Sequence, residues 1–155
     1  MQSNPDEFSE FFRDAEPRLR IALSAQFGFD LGRDAACEAL RYGWEHWSKV
    51  RAMSNPKGYL FRVGERYAVR ERKRRTRVWA RAPQTALVEP PWVEPRLSRA
   101  LMQLSERQRV VVVLVFGLEW LQTEVADLLG LSLSTVQNHL HRGLEKLRTE
   151  LEVSP

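Results

Sequence analysis

The chain reads as an all-α protein of two small helical modules joined by a proline-rich linker. Three observations carry that reading. Apolar residues recur at helical spacing over most of the length. Pro83, Pro90, Pro91 and Pro95 fall close together, and no helix survives such a run, because proline lacks the N–H and clashes with the preceding turn. Helix-opening signals, Asn55-Pro56 and Ser105 with Gln108, stand ahead of two apolar-periodic segments. The N-terminal module is expected over 1–77, the linker over 78–95 and the C-terminal module over 96–155.

Phe8, Phe11, Phe12, Leu19, Leu23 and Phe27 predict a first helix over about 6–29, and Gly28 and Gly32 then punctuate the chain. Ala36, Leu40, Trp44 and Trp47 share one face of a second helix, expected from about Arg33 to Val50. Asn55 caps a third, opened by Pro56, which is expected to bury Leu60, Val63 and Tyr67 on one side. Arg62, Arg66 and Arg70 form a stripe on another side of it. In the C-terminal module Leu97, Leu101 and Leu104 share a face. Val110 to Phe116 presents a conflict: its β-branched composition favours a strand. The capping box ahead, Gly117 behind and the helical neighbours favour a buried helix, which is the expectation, because burial overrides propensity. Helices from Thr123 to Leu129 and Leu133 to Leu151 complete the module.

Composition narrows the class. The 155 residues carry 24 Lys+Arg against 20 Asp+Glu, with 43% hydrophobic and 28% charged, which is globular. The longest apolar run, Val110 to Phe116, is far short of the roughly 20 residues a membrane helix needs. Asp6, Glu7 and Glu10 without a basic residue beside them argue against a secretory signal. A single cysteine, Cys37, excludes an internal disulfide and suggests a reducing compartment. It is read as a small core residue. One Cys and three His supply no structural zinc set, and His139 and His141, two apart, point to different sides of a helix. There is no glycine-rich phosphate loop and no nucleophile motif. The expectation is a soluble cytoplasmic protein that is not an enzyme, with no metal, no cofactor, no membrane partner and no small-molecule substrate.

The positive charge is concentrated. Residues 62–81 hold nine basic and two acidic side chains, whereas 1–61 and 82–155 are each slightly acidic. Such a block suits a polyphosphate partner, since each neutralised phosphate releases counterions. A solvated basic helix end is the competing reading.

Residues 123–140 carry a helix-turn-helix pattern. Val125, Ala126 and Leu129 are apolar at i, i+1 and i+4, Ala126 being small where two helices cross. Gly130 permits a left-handed turn, and Ser132 caps the next helix. Val136, Leu140, Leu144 and Leu147 seat that helix, leaving Ser134, Thr135, Gln137, Asn138, His139 and Arg142 to face out. In such motifs this half enters the major groove: Gln and Asn suit adenine edges, Ser and Thr suit phosphates or bases, and Arg142 suits a phosphate.

Leu104-Ser105-Glu106-Arg107-Gln108-Arg109, the apolar run, Glu124-Val125-Ala126, Leu129-Gly130, Ser132 and Thr135-Val136 together resemble region 4 of sigma-70-family factors, especially the extracytoplasmic-function group. Upstream, Asp34-Ala35 with Trp47 resembles region 2.2, and Tyr59-Leu60-Phe61-Arg62-Val63 with the Arg-rich stretch resembles regions 2.3 and 2.4. The resemblance covers about residues 8–77 and 97–151. It implies a protein that binds RNA polymerase core and promoter DNA to direct transcription initiation. Region 4 would read the −35 element of double-stranded promoter DNA through Ser134, Thr135, Gln137, Asn138, His139 and Arg142. Region 2 would hold the melted single strand of the −10 element through Tyr59, Arg62, Arg66, Arg70, Lys73 and Arg74, a cationic track beside possible stacking rings. Phe61 and Tyr67 are further stacking candidates that compete with a core role. Core polymerase binding would fall to Asp34, Glu38, Arg41 and Trp47, and the resemblance also admits an anti-sigma factor as partner. The chain departs from the family at Ala36, Cys37 and Leu40, where the family usually has two acidic residues and a Gln, and at Leu121, where a capping Ser is common. Those departures favour a second reading: a sigma-derived helix-turn-helix regulator that does not act as an initiation subunit.

Overall fold

The structure is a computed structural model that describes residues 5–79 and 95–153. Most of the expected linker therefore lies outside the described residues, among which there are eight α-helices and no strand. No helix among them is long and apolar enough to cross a membrane.

Helix α1 (Pro5–Phe27) runs through Pro17, a residue that costs a mid-helix hydrogen bond; Ala15 and Leu19, both fully buried, flank it. Gly28 ends α1 with a φ of 94°, a conformation few other residues adopt. Helix α2 (Phe29–Glu45) then starts four residues earlier than the sequence predicts. The reason is Gly32, which is a contact point inside the helix. A β-carbon at Gly32 would stand 2.3 Å from the Cα of Ser24, so its absence lets the two helices cross backbone to backbone. Because α2 buries Ala35, Ala36, Ala39 and Leu40, Cys37 points outward and is exposed, correcting its expected place in the core.

The second helix also does not run unbroken to Val50. His46, with a φ of −120°, interrupts it, and α3 (Trp47–Val50) is a separate turn. The break lets Trp47 sink deeper than Trp44, although both rings meet Phe8. Trp44 is 50% exposed and Trp47 is 3% exposed. The Trp47 ring packs against Phe8 and Phe11, with centroids 5.3 and 5.0 Å away.

Helix α4 (Pro56–Trp79) opens as expected: the Asn55 Oδ1 accepts from the Gly58 N–H at 3.0 Å. It buries Leu60, Phe61 and Ala68 completely and Val63 and Tyr67 in part. Helices α5 (Pro95–Met102) and α6 (Glu106–Val112) follow. Both bonds of the capping box form at 3.1 Å: Gln108 N–H to Ser105 Oγ, and Ser105 N–H to Gln108 Oε1. The valine run is helical, and its last turn widens into a π-turn over Val113–Gly117, closed by Leu118 N–H donating to Val113 O at 3.1 Å. Val110, Val111 and Leu114 are fully buried. Helices α7 (Gln122–Leu129) and α8 (Leu133–Val153) end the fold.

The sequence left open whether the modules touch. They do: α1 packs on α6 and α4 on α7, and one cluster of buried apolar side chains runs through both.

Gly32→Ala should destabilise the chain by about 3 kcal/mol, since the new methyl meets backbone that cannot step aside. Urea unfolding followed by circular dichroism measures it; a midpoint equal to that of the parent chain refutes the close crossing.

Candidate nucleic-acid interface

Helices α7 and α8 meet at Gly130, which takes the left-handed conformation at φ 67° and donates its N–H to Ala126 O. The Arg62 guanidinium of α4 rests on its bare Cα, 3.4 Å from where a β-carbon would stand. Leu121 has no side-chain acceptor to cap α7, as its chemistry dictates. Glu124 instead reaches back to the Leu121 N–H at 3.3 Å and also takes a hydrogen bond from Arg18 at 2.8 Å. The Arg18 bond, then the backbone bond, holds the Glu124 carboxyl below the usual range.

At the head of α8, Ser132 Oγ accepts from the Thr135 N–H at 3.2 Å, and the Ser132 and Thr135 hydroxyls lie 2.8 Å apart. The helix is seated by fully buried Val136 and nearly buried Leu140. Gly143 brings it close to α6: a β-carbon there would stand 2.8 Å from a Val112 methyl. The opposite side presents Ser134, Gln137, Asn138 and Arg142 to solvent. Thr135 and His139 are half-buried, Thr135 being held in the cap. Burial first, then the charges of Arg107 and Arg142, push the His139 imidazole below its ordinary pKa. Its neutral ring offers one donor and one acceptor at neutral pH.

The second positive surface lies on α4. Arg62, Arg66, Arg70 and Lys73 are exposed and form no ion pair among the described residues. The first three line an open groove of about 590 Å³ with Glu65 and Val69. Arg74 is less available, because it and Arg75 share Glu71, with Nε contacts of 3.0 and 3.2 Å. The Arg74 bond leads in lowering the Glu71 carboxyl to about 2. Of the stacking candidates, Phe61 is core, with no exposure at all, and Tyr67 is half-buried. Tyr59 is half-buried within a cluster that sequence reasoning missed. Its hydroxyl lies 3.3 Å from that of Tyr42, whose ring stacks on His46 with centroids 4.1 Å apart, and the Lys49 ammonium sits 5.9 Å from the Tyr59 centroid. The one local signal was the i, i+4 spacing of Tyr42 and His46.

Of the four residues assigned to polymerase contact, Asp34, Glu38 and Arg41 stand at i, i+4 and i+7 of α2, on one face, whereas Trp47 is buried on α3. Asp34 is exposed but paired with Arg75 at 2.9 Å, and Glu38 pairs with Arg41. Trp47, buried against Phe8 and Phe11, has no face free for a partner, which corrects its expected role. Among the described residues no three His, Cys, Asp or Glu side chains converge as a metal site.

Residues 95–147 match the family of Sigma-70, region 4. Among solved structures the chain is similar to the sigma factor RpoE from Bartonella quintana, which was crystallised with the anti-sigma factor NepR. The TM-score is 0.68 and the identity 20%, over 96% of this chain and 99% of that one. No curated protein matches the chain.

In a proton NMR titration the His139 ring should show a midpoint below the ordinary imidazole value of about 6.5. Arg107→Ala should move that midpoint upward, because it removes a cation that opposes protonation. An unshifted midpoint in the variant would mean that Arg107 does not face the ring.

Proposed function

We propose that the protein is an initiation factor: residues 95–147 match the family of Sigma-70, region 4, and the fold is similar to that of a sigma factor. It binds RNA polymerase core, sets α8 into the −35 major groove and holds the melted −10 strand along α4. The observation that carries the reading is the recognition half of α8, which keeps Ser134, Gln137, Asn138 and Arg142 in solvent while Val136 and Leu140 anchor it. An amphipathic helix capped by Ser132 and held at a fixed crossing by Gly130 and Gly143 presents those side chains rigidly, as base readout requires.

The two surfaces divide the work. Residues 96–155 carry seven basic and seven acidic side chains, no net charge, so α8 contributes base contacts more than phosphate affinity. The unpaired Arg62, Arg66, Arg70 and Lys73 contribute the phosphate term, and the half-exposed Tyr59 offers a ring for an unstacked base. An anti-sigma factor joins the proposed partners; the similarity to an RpoE chain crystallised with one supports it. The protein would act in the cytoplasm, where polymerase and promoter are. Burial of Trp47 and pairing of Asp34 favour, as a second reading, a regulator that binds DNA without core.

Size-exclusion chromatography of the chain with core polymerase at micromolar concentration separates the readings: co-elution supports the initiation factor, and separate elution with retained duplex binding supports the regulator. Gln137→Ala or Asn138→Ala should relax base preference at one position by about 1–3 kcal/mol in a competition assay. Changing Arg66, Arg70 and Lys73 together to Ala should weaken binding to single-stranded DNA across all sequences and flatten the log–log salt slope by about two. An unaltered slope would remove α4 from the phosphate contacts.

A further inference from the structure

A cleft of about 650 Å³ opens where the end of α1 and the start of α2 meet α5 and α6, and it shares no lining residue with either DNA-facing surface. Its bed is apolar: Ile21, Phe27, Leu101 and Val113 line it and are half-buried. Phe29 and Met102 also line it, yet they are 57% and 56% exposed. Large apolar side chains left open around one cleft mark a place where something binds. Four arginines stand in the same lining, Arg20, Arg33, Arg72 and Arg109, against a single acid, Glu106. Two of the four are already neutralised, Arg20 by Glu16 at 2.8 Å and Arg72 by Glu106. The Arg72 guanidinium also lies 5.3 Å over the Phe27 ring, so cation and apolar surface adjoin. The other two have no carboxylate. Arg33 is exposed and forms no ion pair among the described residues. Arg109 is half-buried and donates to the Ala25 and Gln26 carbonyls, each at 2.7 Å, while its Nη1 meets only the Met102 sulfur at 3.8 Å. Burial, above all, pushes the Arg109 guanidinium below its ordinary pKa; Glu106 opposes that and Arg72 adds to it. A half-buried cation that meets carbonyls and a thioether keeps an uncompensated charge.

We propose that this cleft is a binding site for an amphiphilic organic anion, an aliphatic chain that ends in one carboxylate. The chain lies on the apolar bed between Phe29 and Met102, and Arg33 and Arg109 are the cations left for the head group. A guanidinium suits a carboxylate because its planar fork of donors matches the two oxygens. The size fits: small-molecule clefts run to about 300–1,000 Å³ and are mostly apolar with a few placed polar groups. One head group is also what the charges call for. A peptide helix with several acids would find Arg20 and Arg72 already paired. The proposal goes beyond promoter reading and does not depend on it.

The test is isothermal titration calorimetry of the full chain with sodium decanoate below its micelle concentration, which should show a single site. Tetradecanoate should bind at least tenfold tighter, since each methylene fully buried contributes about a fourfold gain. Decyltrimethylammonium has the same chain length with a cationic head, and should bind at least about tenfold more weakly than decanoate. Arg33→Glu and Met102→Glu alter exposed positions of the cleft, so helicity by circular dichroism should be retained. Each should weaken decanoate at least about tenfold, by charge reversal in the first and by a repelling acid beside the chain in the second. Lys146→Glu, exposed on α8 and outside the cleft, should leave the affinity unchanged. Absence of binding, several weak sites, equal affinity for the cationic analogue, or full affinity in either cleft variant overturns the proposal.

Discussion

Helix α6 is packed on two sides at once, and that constraint organises the molecule. On one side α8 lies against it, admitted by Gly143, which lets the Val112 methyl approach within the radius a side chain would fill. On the other side lies α1, and Arg109 leaves α6 at the edge of that contact to bond its last carbonyls. Helix α6 opens polar, from Glu106 to Arg109, but is then apolar on three successive residues, which one neighbour cannot cover. Burial of Val110, Val111 and Val112 is therefore the mark of a helix held between two others. Burial of Val110, Val111 and Leu114 ties the seating of α8 to the docking of the N-terminal module.

What was legible in the sequence was local. The Asn55 and Ser105 caps, the Gly130 turn and the periodic seating of α8 each depend on residues within four or five positions, and each stands as read. The valine run was legible only by its neighbours, since its own propensity points to a strand. The misreadings share a cause. Gly32 looked like punctuation because its partner, the Ser24 backbone, belongs to another helix. The second helix looked unbroken to Val50 because nothing near His46 announces a break. Cys37 looked like core because the face of α2 that meets α1 is set by Ala35 and Ala39, a choice pairwise packing makes. The polar contacts that join α1 and α4 to α6 and α7 left no pattern at all: Arg18 with Glu124, Glu65 with Arg107, and Arg109 with the Ala25 carbonyl are far apart in sequence and ordinary where they stand.

Charge follows the same logic of local appearance and tertiary use. Residues 62–81 look like one uniform basic block. In the fold, Arg72 pairs with Glu106 of α6, while Arg74 and Arg75 serve Glu71, and Arg75 also serves Asp34. Among the described residues Arg62, Arg66, Arg70, Lys73 and Arg77 of α4 form no ion pair. That division matters because residues 96–155 carry seven basic and seven acidic side chains and so no net charge. A helix that carries base-reading groups with little net attraction for the duplex gains local concentration when a second, cationic surface is tethered to it.

Polar contacts between α1 or α4 and α6 or α7 add little to the packing of the two halves. Half-exposed ion pairs contribute about 0–1 kcal/mol each, and the bonds from Arg109 to the Ala25 and Gln26 carbonyls somewhat more. The buried apolar cluster that runs through both halves therefore carries their union, and the polar contacts select where one half sits on the other.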